Sequence, residues 1–311
     1  MTDNDTSLEM RHPADGASPP AALVTHWSQT DPILPAGARW TALQGGRTNA
    51  LWRVDAPGGA VVVKLFRPGT DTPLFRNDPD AEAQALAALA GSGLAPALRA
   101  RGETALGPSL IYGHVAGRVW RPEDGVAPVA RALAGLHRFT APANLPSARG
   151  DADALRDHGR DILEMVGAPG RALAGDQPEL PRSVPPVEHV FLHGDCTAGN
   201  ALVADSGVTF IDWQCPAKGD PTIDLAVFLS PAMQAVSGNR PLSASEELTF
   251  LDAYGNAAVA DRYHALAPLH HWRIAAYCLW RAARGDAGYE DAAKLEVERL
   301  KERTRPRRRQ A

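Results

Sequence analysis

No apolar run approaches the roughly 18 residues a helix needs to cross a bilayer, so nothing in the sequence reads as a membrane span. The opening segment, MTDNDTSLEMRHPADGASPP, has no apolar core of the kind a secretory signal carries and reads as a disordered lead-in over residues 1–20. Cysteine is scarce. Cys196, Cys215 and Cys278 form no C-x-x-C pair, and so sparse and odd a count points to a reducing cytoplasm rather than a disulfide scaffold. The same scarcity, with no H-E-x-x-H, argues against zinc. There is no G-x-x-x-x-G-K-[ST], which excludes a Walker-type phosphate loop, and no internal repeat or long low-complexity block.

What is present is ordinary for a folded protein. Of 311 residues, 44% are hydrophobic and 22% charged, enough for a sizeable core and, at about 150 residues each, for two domains or lobes. The segment 301–311, KERTRPRRRQA, holds six basic residues against one acidic, a charge of +5, which leaves −9 on the rest of a chain whose total is −4. An acidic body disfavours nucleic-acid backbone as a partner. The basic tail reads as a solvated terminus, with nucleic acid or acidic lipid as the alternative.

The first half carries strand-like runs at Ala38–Leu43, ALWRVD and Ala60–Phe66, the last two joined by the turn Pro57–Gly59 into a hairpin. A helix is expected over Pro79–Ala90, with proline in its first turn, Asp80 and Glu82 at its positive end, and Gly91 beyond it. PALRARG and GPSLIYGH read as two further strands. The second half is mostly helical. Val129, Leu133 and Leu136 share one face, a helix fits Asp151–Val166, and Ser243 with Glu246 has capping-box spacing before a helix through Tyr254. Two more helices are expected over His264–Ala283 and Ala287–Arg303. Among them lies one β island, HVFLHGD followed by NALVAD-SG-VTFID. With Asp205, Ser206 and Gly207 as its loop, Ala204 pairs with Val208 and Asn200 falls opposite Asp212.

That hairpin has chemical meaning. Asn200 and Asp212 offer two hard oxygen ligands, which suits magnesium, a cation that takes one or two protein oxygens and fills its shell with phosphate and water. Asp195 stands in the preceding loop, placed to orient a substrate hydroxyl. Lys64, between Val63 and Leu65 on a buried-looking strand, is the candidate cation for phosphates, or else a snorkelling edge-strand lysine. A lysine buried there needs a carboxylate partner, and Glu82 on the following helix is the candidate.

These motifs together resemble the aminoglycoside phosphotransferase and choline kinase family of small-molecule kinases. The family's H-G-D-x-x-x-x-N appears as His193-Gly194-Asp195 with Asn200, its I-D-[WF]-[EQ] as Ile211 to Gln214, and its G-D-P-x-x-D-L-A as Gly219 to Ala226. GGRTNALWRV, VVVKLF, AEAQALAAL and LAGLH follow in family order upstream, so that the likeness spans about residues 40–290. The resemblance implies an α+β, bilobal protein-kinase-like fold with a small antiparallel-sheet N-lobe (21–112), a mainly helical C-lobe (113–300) and the basic tail (301–311). It implies transfer of the γ-phosphoryl group of ATP, or GTP, with Mg²⁺, to a hydroxyl of a small molecule such as an amino alcohol, aminoglycoside, thiamine-like or sugar-like acceptor. Asp195 would be the catalytic base or hydroxyl orienter. A free aspartate near pKa ~3.9 is a feeble base, so orientation is its stronger contribution. Asn200 and Asp212 would hold Mg²⁺, and Lys64 would contact the phosphates and pair with Glu82. The segment Gly45, Gly46, Arg47, Thr48, Asn49 would fold over the phosphates, and Leu110, Ile111 and Tyr112 would form a hinge against adenine.

No D-F-G and A-P-E pair brackets an activation segment, which disfavours protein substrates. The acidic body leans towards a cationic acceptor. His193 is expected to brace its loop, Asp220 and Asp224 to stabilise the loop and the next helix N-terminus, and Cys196 to be inert or on the substrate side. Trp272, Tyr277 and Trp280 read either as core or, with Trp213, as an aromatic box for a quaternary ammonium, and His270 and His271 as surface or packing residues. The rival reading is a catalytically silent nucleotide- or ligand-binding module of the same fold. The sequence leaves the oligomeric state open.

Overall fold

The computed structural model describes residues 18–30, 34–43 and 48–304. They divide into two compact units, one reaching to Asp71 and including Leu98–His114, the other made of Thr72–Ala97 and the chain from Val115 onward.

In the first unit, β1 (Arg39–Ala42), β2 (Ala50–Asp55), β3 (Val61–Leu65), β4 (Leu98–Thr104) and β5 (Gly107–Gly113) form one antiparallel sheet in the order β1-β2-β3-β5-β4. The central place of β3 explains its sequence. A strand covered on both faces needs no polar alternation, and all five of its residues are buried, Lys64 included. The snorkelling edge-strand reading of Lys64 is therefore corrected. Helix α1 (Ala21–Thr30) had no counterpart in the sequence reading, because only Leu23 and Trp27 bury its inner face. Its indole donates to Ser109 Oγ at 3.1 Å, and that hydroxyl donates to the Lys64 carbonyl at 2.9 Å. Gly102 on β4 makes room for it, since a Cβ there would meet the Trp27 ring at 2.9 Å.

The second unit holds α2 (Pro79–Ala88), β6 (Arg118–Val119), α3 (Ala127–Leu136), β7 (Ser147–Ala148), α4 (Ala152–Val166), α5 (Ala168–Gly175), β8 (Val190–Leu192), β9 (Ala201–Ala204), β10 (Gly207–Phe210) and β11 (Ala217–Gly219). It continues with α6 (Thr222–Leu229), α7 (Pro231–Val236), α8 (Ala244–Tyr254), α9 (Ala257–Ala282) and α10 (Tyr289–Thr304). Asp78 caps α2 by accepting from Asp80 and Ala81, with Pro79 in the first turn. Ser243 and Glu246 form the expected capping box of α8.

The β island is two small sheets, β10-β9-β6 and β7-β11-β8, not one. The hairpin register also differs from expectation by one residue. Gly207 pairs with Ala204, so Asp205 and Ser206 alone make the turn and Gly207 joins the ladder at φ 122°. Asn200 therefore lies opposite Ile211, whose N–H donates to the Asn200 carbonyl at 2.9 Å, and Asp212 is the next residue along.

The core of this unit centres on α9, packed against α4 and α10. Trp272 lies against Gly159 of α4 and donates to the Leu173 carbonyl at 2.9 Å. Tyr277 and Trp280 are buried beside Phe75 and Tyr289, so the helix aromatics are core and form no box. His271 is buried as well. Its Nδ1 donates to Glu296 at 2.6 Å, and its Nε2 accepts from Arg303 at 3.2 Å. Because Arg303 also donates to Glu247, Lys301–Thr304 complete α10 instead of belonging to a solvated tail. Residues 305–311 of that tail and 1–17 of the lead-in lie outside the described residues.

Candidate active site

In the second unit, β8 leads directly into His193-Gly194-Asp195. The next link is a buried carboxylate 30 residues away. Asp224, in the first turn of α6, accepts the Gly194 N–H through Oδ1 at 2.8 Å and the His193 N–H through Oδ2 at 2.8 Å. His137 Nε2 donates to Asp224 Oδ2 at 3.1 Å, and His137 Nδ1 accepts from the Tyr254 hydroxyl at 2.8 Å. Burial alone would raise the Asp224 pKa. The His137 hydrogen bond, the nearby imidazoles and the Gly194 N–H outweigh it and hold the carboxyl below the ordinary carboxylate range. Burial raises the Tyr254 hydroxyl, which stays protonated and available as a donor.

The His193 ring is committed at both nitrogens. Nε2 is 3.0 Å from the Ile211 carbonyl, which can only accept, so the proton sits there and Nδ1 accepts the Asp195 N–H at 3.2 Å. Packed against Trp213 with ring centres 4.4 Å apart and planes tilted by 52°, and fully buried, His193 braces the loop. Gly194 has φ 82°, and a Cβ on it would run into the Cys215 carbonyl. Cys196 is buried, and burial pushes its thiol well above the usual range, so it is no nucleophile.

What the loop leaves for chemistry is polar and half-exposed: Asp195, Asn200 and Asp212. The Asp195 carbonyl accepts from Thr197 N at 2.8 Å and from Asn200 Nδ2 at 2.9 Å. This fixes the carboxamide, and Asn200 Oδ1 accepts no hydrogen bond among the described residues. Asp212 is the only non-glycine at positive φ among them, 61°, a conformation aspartate tolerates. Asn200 and Asp212 flank the open end of the β9–β10 hairpin, and a carboxamide oxygen and a carboxylate are ligand types that suit a hard divalent cation. No cluster of three or more His, Cys, Asp or Glu able to hold a metal occurs among the described residues. Asp220 is structural, accepting from Thr222 and paired with Arg262 at 2.6 Å.

The other predicted residues lie elsewhere. Lys64 is fully buried on β3, its amine 4.9 Å from the Phe66 ring centre. Glu82 is buried on α2. Asn49 is buried and ties β2 to the chain after β3, accepting the Arg67 N–H at 3.1 Å, while Thr48 precedes it, half-buried. Gly45, Gly46 and Arg47 lie outside the described residues. Leu110, Ile111 and Tyr112 each pair with β3 on one side and β4 on the other. The residues expected to form a hinge against adenine thus belong to the last, interior strand of the sheet in chain order. Sequence reasoning missed His137 and Tyr254, although His137 ends the LAGLH block that carried part of the family likeness.

A sequence model of the phosphotransferase enzyme family matches residues 39–269, most of the chain. The chain belongs to that family. A search of curated proteins gave no match. Among solved structures, a choline/ethanolamine kinase family protein from Mesorhizobium loti is similar at TM-score 0.63 and 17% identity, covering 92% of this chain and 94% of that one. A choline kinase from Cryptosporidium parvum is similar at 0.64 and 13%, covering 90% and 94%. A spectinomycin phosphotransferase, solved with ADP and spectinomycin, is similar at 0.59 and 14%, covering 89% and 93%. At such identities the likeness concerns the fold. This phosphotransferase has the α+β protein-kinase-like fold expected from its sequence, with an antiparallel N-terminal sheet and a helical C-terminal part. None of its described helices is long and apolar enough to cross a membrane.

Proposed function

We propose that this phosphotransferase moves the γ-phosphoryl group of ATP, with Mg²⁺, onto a hydroxyl group of a small molecule. The observation that carries the reading is the Asp224 clamp. A buried carboxylate spent on two backbone N–H groups fixes the turn that leads into Asp195, whose carbonyl is in turn bonded by the Asn200 carboxamide at 2.9 Å, and such a rigid support is what positioning a substrate hydroxyl requires.

Asp195 accepts a hydrogen bond from the acceptor hydroxyl and aims its oxygen at the γ-phosphorus. The new O–P bond forms as the bond to the β–γ bridging oxygen breaks. The electron pair of that bond leaves with ADP, and the hydroxyl proton passes to Asp195 and then to solvent. Bound by Asn200 Oδ1 and the Asp212 carboxylate, Mg²⁺ would neutralise charge on the transferring phosphates. Lys64 contacts the α- and β-phosphates and is held by an ion pair with Glu82. His193 takes no proton, since both its nitrogens are occupied.

The test is ADP formation from ATP or GTP across a panel of small alcohols, with Mg²⁺ and with chelator, beside an Asp195→Ala variant shown to retain ADP binding. Acceptor-dependent, Mg²⁺-dependent ADP formation that the variant loses is expected. Undiminished turnover in the variant would remove Asp195 from the chemistry.

A further inference from the structure

Within the second unit a cavity of about 420 Å³ has Gly194, the residue before Asp195, in its wall. That size suits a small organic molecule. The charge of its lining is one-sided: Arg76, Arg149, His158 and Arg273 contribute to it, and no aspartate or glutamate does. Arg76 and Arg149 are exposed, and Arg149 is shared with Asp151 at 3.2 Å. His158 donates Nε2–H to the Pro73 carbonyl at 2.8 Å. Burial first, and the Arg273 charge second, lower its pKa, so it adds no charge at neutral pH.

Arg273 is different in kind. It is 4% exposed, and its Nε and Nη2 are buried with no hydrogen-bond partner. Among the described residues no carboxylate lies within ion-pair distance of it. Asp220 attracts it from further off but is already held by Arg262 and Thr222. Burial pulls the guanidinium down to about 10, still a full cation at neutral pH. A buried charge without a partner carries a heavy desolvation penalty, and buried polar atoms left unsatisfied are rare in folded proteins. Position 273 lies in the helix that supplies the apolar core, where a hydrophobic side chain of similar length would avoid that penalty. The missing partner is accounted for if it arrives with the ligand.

We propose that this cavity is the acceptor pocket and that Arg273 binds an oxyanion of the acceptor, a carboxylate or phosphate, so that the phosphorylated hydroxyl belongs to an anionic small molecule. The proposal rests on the phosphotransfer reading above and narrows it, away from the cationic acceptors that net charge had suggested. The planar guanidinium fork matches a carboxylate or phosphate in two parallel hydrogen bonds and fixes its orientation. The oxyanion takes no part in bond making. It anchors one end of the acceptor while the hydroxyl end lies towards Asp195, and the transfer itself is the one already written.

The experiment compares wild type, Arg273→Met and Arg273→Lys. Thermal melts are run with glycerate, serine, glycerol phosphate and inorganic phosphate, and with choline and ethanolamine. Turnover is then measured with the hydroxyl compounds and ATP. Without ligand, Arg273→Met is expected to melt at or above wild type, since it removes an unpaired buried charge. Anionic compounds raise the wild-type melting temperature and leave Arg273→Met unmoved. KM for an anionic acceptor rises about tenfold to hundredfold in Arg273→Met with a smaller change in kcat, and Arg273→Lys recovers part of the loss. An Arg273→Met variant that melts lower with an unchanged KM would make Arg273 a structural residue and overturn the proposal. Turnover confined to choline- or ethanolamine-like acceptors and indifferent to Arg273 would overturn it too. ADP formation with no acceptor, alongside an Arg273-dependent anion shift, rejects the phosphotransfer reading and keeps the anion site. No anion shift in wild type rejects the site whatever the turnover.

Discussion

Asp224 Oδ1 accepts the backbone N–H of Gly194 at 2.8 Å, across 30 residues of chain, while its other oxygen takes the His193 N–H. An Asp224→Asn variant keeps the shape but offers one acceptor oxygen to two N–H donors, and turns its amide hydrogens towards the other. The expected loss is about 3 kcal/mol, a fall in melting temperature on the order of 5–10 °C. Misplacing Asp195 by about 1 Å would cost turnover roughly a hundredfold. Thermal melts and ADP-release assays measure both, and an unshifted melt with full turnover would show that the turn stands without the clamp.

The same carboxylate makes stability depend on pH with a defined sign. Its folded pKa is depressed below the ordinary value, so its contribution is fully present above the unfolded pKa of ~3.9 and is lost as pH falls through the folded value. The stability gap between wild type and Asp224→Asn in urea melts should therefore be constant from about pH 7 down to pH 5 and shrink below about pH 4. A gap that widens on acidification would mean that Asp224 is protonated in the native state.

His193 is a brace, and a brace and a base are told apart by pH. His193→Gln keeps an amide N–H for the Ile211 carbonyl but loses the ring contact with Trp213. The expected outcome is a kcat lowered by about tenfold with a pH–rate profile of unchanged shape. Disappearance of a limb near pH 6–7 in the variant would assign the proton to His193 after all.

Much of this was legible in advance, for identifiable reasons. The strands of the first sheet carry β-branched runs and Gly/Pro turns, and β3 declared its burial by having no alternation. The H-G-D and I-D-W blocks are local, so spacing alone placed Asp195, Asn200 and Asp212 in one hairpin region. The one-residue register error came from counting Gly207 as loop, when its positive φ lets it close a two-residue turn inside the ladder. His137 and Tyr254 are long-range partners, 87 and 30 residues from Asp224, and no periodicity reports such contacts. Arg273 was invisible because an arginine on a helix reads as a solvated position until its burial is seen.

Gly159 sets local propensity against packing. In an exposed helix, Gly→Ala would gain about 1 kcal/mol. Here the added methyl would collide with the six-membered ring of Trp272, whose indole is fully buried and hydrogen-bonded to Leu173. Overpacking a rigid core costs roughly 1–3 kcal/mol or more, so Gly159→Ala should be net destabilising by about 1–2 kcal/mol. A smaller ring in the Gly159→Ala/Trp272→Phe double variant should recover part of that in chemical denaturation. A stabilised Gly159→Ala would show that the ring can move aside.

The proposed Lys64–Glu82 pair can be tested without a ligand. Both side chains are buried to within 1% exposure. Removing one member of a buried ion pair strands the other and costs about 3–5 kcal/mol, whereas replacing both with apolar groups of similar length is often close to neutral. Lys64→Met and Glu82→Met should each be strongly destabilising, and the double variant should be more stable than either. Coupling of at least about 2 kcal/mol in this cycle is expected, because neighbours in one network do not add. ADP affinity separates structure from function: the double variant folds but should bind ADP about tenfold or more weakly, since the cation for the α- and β-phosphates is gone. Additive stabilities across the cycle would leave each charge with some other partner and break the assignment of Glu82.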